Sequence, residues 1–108
     1  MKNNPLPRLD TLSGMRERLL PFCRLRPGEI WKDPNGKHRV ACLDATDAVS
    51  IQGLIAGARP TLAIHDPPYN LVAFTVQSIE SFVDWCRKWV TITHTVLDDD
   101  ASFYVWLG

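Results

Sequence analysis

The chain has no Gly-x-Gly: its six glycines stand at Gly14, Gly28, Gly36, Gly53, Gly57 and Gly108. No loop within these residues therefore lets backbone approach a nucleotide-like cofactor in the usual glycine-rich way. Cysteine is scarce as well. Cys23, Cys42 and Cys86 are odd in number, widely spaced and without a Cys-x-x-Cys pair, which excludes a disulfide framework and a structural zinc site and predicts buried thiols. No apolar run approaches the roughly 18 residues of a membrane span, and Met1-Lys2-Asn3-Asn4-Pro5 has no apolar signal core. The expected compartment is the cytoplasm. His38, His65 and His94 fall in separate segments with no acid, serine or cysteine at catalytic spacing, so hydrolase chemistry has no support. His65 is expected to be a packed, hydrogen-bonded histidine, and Trp31, Trp85, Trp89 and Trp106 are expected in core or capping positions. There is no internal repeat and no low-complexity run.

What the 108 residues do contain is an ordinary globular composition, 45% hydrophobic, enough for one domain with a modest core. Formal net charge is zero, but it is unevenly spread. Residues 1–39 carry nine Lys or Arg against four acids, and residues 40–108 carry three against eight. The chain divides into a basic, proline-containing leader, residues 1–37, and an α/β part, residues 38–108. The leader, with Arg8, Arg16, Arg18, Arg24 and Arg26 among five prolines, reads as a solvated segment. A second reading is an arm that contacts nucleic-acid phosphates.

Pattern and turn chemistry give the order of elements. A short helix is predicted from Met15 to Leu20, stopped by Pro21, and Asp33-Pro34-Asn35-Gly36 is a turn. A strand follows from His38 to Leu43. Thr46 or Asp47 caps a helix bearing Val49, Ile51, Leu54 and Ile55, with Gly57 at its C′ position. Thr61-Leu62-Ala63-Ile64-His65 reads as a buried parallel strand. Ser78 caps a second helix with Ile79, Phe82, Val83, Cys86, Trp89 and Val90 on its apolar stripe, and a last strand begins at Ser102. Alternating strand and helix predicts right-handed parallel crossovers.

Directly after the second predicted strand stands Asp66-Pro67-Pro68-Tyr69-Asn70. The carboxyl edge of an open α/β sheet is where ligands bind, so a carboxylate, two prolines and an aromatic ring there make a candidate active site. Each proline holds the preceding residue extended and removes a competing N–H, which fixes the direction of the neighbouring carbonyls. An acceptor-rich site of this kind suits an aromatic amine whose lone pair is delocalised until its hydrogens are bound. Asp66 would accept one hydrogen, a carbonyl of Asp66 or Pro67 the other, and Tyr69 would stack on an extruded base. The plain alternative is a proline-rich turn.

Asp-Pro-Pro-Tyr resembles the catalytic signature of the amino-methyltransferases of DNA. Leu25-Arg26-Pro27-Gly28-Glu29-Ile30-Trp31 and Gly36 to Asp47 are similar to the segment preceding that motif in the β-class, circularly permuted group. Ser78 to Leu97 and Ser102 to Gly108 resemble the helix and strand after it. The resemblance implies a partial Rossmann-like methyltransferase sheet, incomplete in this chain. It further implies methyl transfer from S-adenosyl-L-methionine to an exocyclic amine of double-stranded DNA. Adenine N6 is favoured over cytosine N4 because Asp leads the motif. Asp66, Pro67, Pro68 and Tyr69 would be catalytic; Asp44, Ala45 and Asp66 would contact the cofactor.

Two departures stand out. Leu43 occupies a position where relatives carry glycine, and Asp44 also reads as a helix cap. Asp98-Asp99-Asp100 replaces a Lys and Gly of relatives and is expected to form a solvated turn with no metal. The glycine-rich cofactor loop and the target-recognition region of the permuted class lie beyond these residues, so the chain alone is expected to be inactive. A second chain supplying the missing half, a restriction-modification context, a non-enzymatic remnant or DNA-binding module, and RNA or protein amine methylation remain as further readings.

Overall fold

The computed structural model describes residues 12–68 and 78–106. Its first element is α1 (Met15–Leu19), which tightens into a 3-10 turn at Leu20–Phe22. Pro21 lies inside that turn rather than ending the helix before it, because the start of a helical turn tolerates a residue without an N–H.

Strands β1 (Ile30–Lys32) and β2 (Arg39–Ala41) then form an antiparallel hairpin with Trp31 opposite Val40. The turn between them is the one the sequence predicts. The Asp33 carboxylate accepts from the Asn35 amide, Gly36 N–H donates to the Asp33 carbonyl at 2.9 Å, and Gly36 takes a left-handed φ of 69°. Pairing runs past the strands, with the Cys42 amide on the Glu29 carbonyl at 3.0 Å and the Gly28 amide on the Cys42 carbonyl at 2.7 Å. The His38–Leu43 segment was expected to join a parallel sheet. Instead it pairs with Ile30–Lys32, since a short connection makes this partner the cheapest in loop entropy. The hairpin thus straddles the boundary between residues 37 and 38.

Helix α2 (Ala48–Ile55) is capped by Asp47, whose carboxylate accepts from the Val49 amide at 3.1 Å and the Ser50 hydroxyl at 2.5 Å. It ends in two successive left-handed residues, Ala56 at φ 50° and Gly57 at φ 80°. Arg39 reaches across from β2 and donates to the Leu54 and Ile55 carbonyls at 2.7 and 3.0 Å. A cation there answers the partial negative charge of the helix C-terminus and joins hairpin to helix.

Strands β3 (Leu62–His65) and β4 (Ser102–Val105) pair in parallel, from Leu62 beside Ser102 to His65 beside Val105. Helix α3 (Ile79–Val96) lies in the crossover between them, its N-terminus capped by Ser78, whose hydroxyl accepts from the Ser81 amide at 3.2 Å. The entry to β3 and the entry to β4 are tied together. Arg59 meets Asp98 at 3.4 Å and Asp99 at 3.3 Å, and the Asp98 amide donates to the Pro60 carbonyl at 2.9 Å. The acidic turn is therefore partnered by an arginine from the facing loop.

The core is small. Trp89 at 3% exposure and Thr93 at 9% are the buried residues among those described. The buried line of α3 runs through Phe82, Trp85, Cys86, Trp89, Ile92, Thr93 and Val96, whereas Ile79, Val83 and Val90 of the predicted stripe face outward. Cys23 and Cys42 are exposed and Cys86 half-buried. The thiols expected to be buried are not, because among the described residues no layer packs over the hairpin or the 3-10 turn. The architecture is thus mixed α/β, a parallel strand pair with its crossover helix beside an antiparallel hairpin. No helix among the described residues is long and apolar enough to cross a membrane.

Candidate functional site

Along β3 and its continuation, exposure alternates: Leu62, Ile64 and Asp66 are exposed, while Ala63, His65 and Pro67 are partly covered. Period-two alternation turns the second set toward α3 and the first set away from it. His65, the residue before the motif, is the anchor. Its imidazole stacks on Trp89 at 5.3 Å between centroids, meets Phe103 edge-on at 4.9 Å, and lies 3.3 Å from the Thr93 hydroxyl. That hydroxyl donates onward to the Trp89 carbonyl at 2.8 Å, which leaves Thr93 Oγ1 as an acceptor for an imidazole N–H. Burial among these groups disfavours the imidazolium and holds the His65 pKa below its ordinary value. The packed, hydrogen-bonded histidine expected from the sequence is found.

Asp66 and Pro68 emerge at the carboxyl end of β3, both exposed, with Pro67 half-buried between them. The ladder continues one step past β4, because the Trp106 amide donates to the His65 carbonyl at 2.8 Å. That bond brings Trp106 level with Asp66 at the rim of the sheet. Tyr69 and Asn70 lie outside the described residues.

The second group of predicted residues lies after the hairpin. Asp44 Oδ1 accepts from the Thr46 amide at 2.8 Å and the Thr46 hydroxyl at 2.7 Å. Those two bonds, led by the amide, lower the Asp44 pKa, and the positive charge of Lys88 on α3 adds to the effect. The carboxylate is ionised at neutral pH. Asp47, and not Asp44, caps α2; its own pKa is lowered chiefly by the Ser50 hydroxyl. Asp44 lines a surface pocket of about 390 Å³ with Pro27, Gly28, Cys42, Leu43 and Ser50. Ala45 is exposed beside it and does not line it.

Asp44 and Asp66 thus follow strands of different sheets, and among the described residues no strand pairing joins those sheets. Thr93 and Ser50, which the sequence does not single out, enter the site, and so does Trp106, which was expected, like Trp31, in a core or capping position but is exposed. The signal for Trp106 was the alternation Phe103, Tyr104, Val105, Trp106, in which the half-buried first and third members turn the other two outward. No family model matches the chain, and neither a curated protein nor a solved structure shows significant similarity to it.

Proposed function

We propose that the chain carries the catalytic motif of an S-adenosyl-L-methionine-dependent DNA amino-methyltransferase acting on adenine N6. One observation carries the reading: Asp66-Pro67-Pro68 leaves the carboxyl end of a parallel strand, level with the end of its parallel neighbour, which is the ligand edge of an open α/β sheet. Asp66 accepts one amine hydrogen there and a carbonyl of the Asp66-Pro67 pair accepts the other, localising the nitrogen lone pair. Tyr69 follows as the stacking ring of the motif.

The Asp44 pocket suits the adenosyl end of the cofactor. It combines an ionised carboxylate, able to accept from hydroxyls, with the apolar walls of Pro27 and Leu43, and its volume falls within the ~300–1,000 Å³ of small-molecule sites. S-adenosyl-L-methionine would supply the electrophilic methyl group. Nothing in the 108 residues offers the glycine-rich turn that its methionine end requires, so the chain alone should hold it weakly or not at all.

The test is tritiated methyl incorporation into duplex DNA. The chain is assayed by itself and with a polypeptide carrying the glycine-rich loop and recognition region of a β-class enzyme. Incorporation is expected only with the second polypeptide, and Asp66→Ala should abolish it. A complemented chain that remains inert, or incorporation that survives Asp66→Ala, would overturn the proposal.

A further inference from the structure

The sheet face turned away from α3 has a feature that the motif alone does not explain. Trp106 is 70% exposed and Tyr104 62%, beside Ile64 at 72%. By contrast, Trp89 is buried and Trp85 packs on it with ring centroids 6.0 Å apart. Register sets Ile64 beside Tyr104, and the bond from the Trp106 amide to the His65 carbonyl sets Trp106 beside Asp66. Asp66 precedes a proline and is held extended, so the alternation of β3 carries through it. Its carboxylate and the Trp106 indole thereby share one face at the carboxyl rim of the pair. An exposed indole next to a carboxylate combines a flat π surface with a hydrogen-bond acceptor at its edge.

We infer that Trp106 is a stacking platform for the acceptor base, a planar heterocycle whose exocyclic amine is directed at Asp66. The inference rests on the amine-acceptor reading of Asp66 and adds to it a second aromatic residue, contributed by β4 rather than by the motif. Stacking by an indole is tolerant of ring identity, because every base has a π face. Selectivity comes from the carboxylate, which accepts from an amine and repels a carbonyl oxygen in the same place. Ile64 and Tyr104 extend the apolar floor on the same face.

The experiment titrates the full ¹⁵N-labelled chain with 2′-deoxyadenosine and follows the indole N–H signals of its four tryptophans. The Trp106 signal is identified as the one missing from Trp106→Phe. It should shift saturably, and Trp106→Ala should weaken binding on the order of 10- to 100-fold, as expected for loss of one base-stacking partner. Trp106→Phe, which keeps a ring, should retain most of the affinity, and 2′-deoxyinosine, with a carbonyl in place of the amine, should bind much more weakly. A Trp106 signal that does not move, or that both nucleosides move equally, overturns the inference. The complemented methylation assay separates the two readings. Incorporation that Trp106→Ala leaves unchanged removes the stacking role and spares the transferase reading. Amine-selective binding at Trp106 without incorporation does the reverse.

Discussion

At the scale of single residues, His65 links the core to the motif. Its ring is enclosed by Trp89, Thr93 and Phe103, none of which titrates near neutrality, and its carbonyl holds the first residue past β4. Because the folded-state pKa lies below the ordinary value of 6.5, the unfolded chain binds a proton that the folded chain refuses as pH falls through that value. Stability is therefore fully present above pH 6.5 and declines on acidification toward the lower folded pKa. The urea midpoint should be lower at about pH 5 than at about pH 8, and His65→Gln should remove most of that difference. A midpoint that stays level in the parent chain would show that folding does not exclude the His65 proton, and one that falls equally in the variant would assign the acid sensitivity to another group. Loss of His65 packing should also loosen the backbone that presents Asp66, since both belong to one short strand and its exit.

Among the elements, the hairpin and α2 are joined by the two bonds from Arg39 to the carbonyls of Leu54 and Ile55. Arg39→Ala should cost about 1 kcal/mol, read as a lower thermal midpoint together with faster hydrogen exchange at the end of α2. Arg39→Lys should recover part of the loss, because one guanidinium nitrogen makes both bonds and an ammonium can donate to the same two carbonyls, from a shorter and more strongly hydrated side chain. Much at this scale was legible in the sequence. Asp33 to Gly36 makes its turn, Asp47 and Ser78 cap their helices, and Leu62–His65 is a strand, because each depends on local chemistry or short-period patterning. The strand at Arg39–Ala41 was legible too, but its partner was not: patterning fixes which face a strand buries, not which neighbour reaches it first. The phase of α3 was misjudged for a related reason. Ile79, Val83 and Val90 are as apolar as the residues that face inward, and what selects Trp85, Trp89 and Thr93 is the position of His65 and Phe103 on the sheet. Within the candidate site, the placement of Asp66 at a strand end was readable from the prolines. Trp106 was not, since its role depends on a pairing between distant segments.

At the scale of the whole molecule, one apolar face stands open among the described residues. It is the sheet face carrying Leu62, Ile64, Tyr104 and Trp106, each at least half exposed. Parallel strands are ordinarily covered on both faces, and here α3 covers one. Ile64→Thr with Tyr104→Thr, which keeps strand propensity and sets no like charges side by side in the ladder, should leave the unfolding free energy within about 0.5 kcal/mol, as for other surface changes. The same pair should raise solubility and reduce binding of a hydrophobic dye. A large loss of stability would mean that this face is internally packed in solution.

The parallel pair also has a consequence for how the chain is made. Leu62 and Ser102, partners in the ladder, are about 40 residues apart in the chain, whereas the hairpin strands are near neighbours. During translation at ~5–20 residues per second, β3 emerges roughly 2–8 s before β4 exists to pair with it. Over that interval the Asp66 segment has no ladder to hold it, and α3, complete before β4, is the only described element on which His65 can dock. The order of events is thus set by topology: hairpin first, helix onto strand next, and the rim that joins Asp66 to Trp106 last of all.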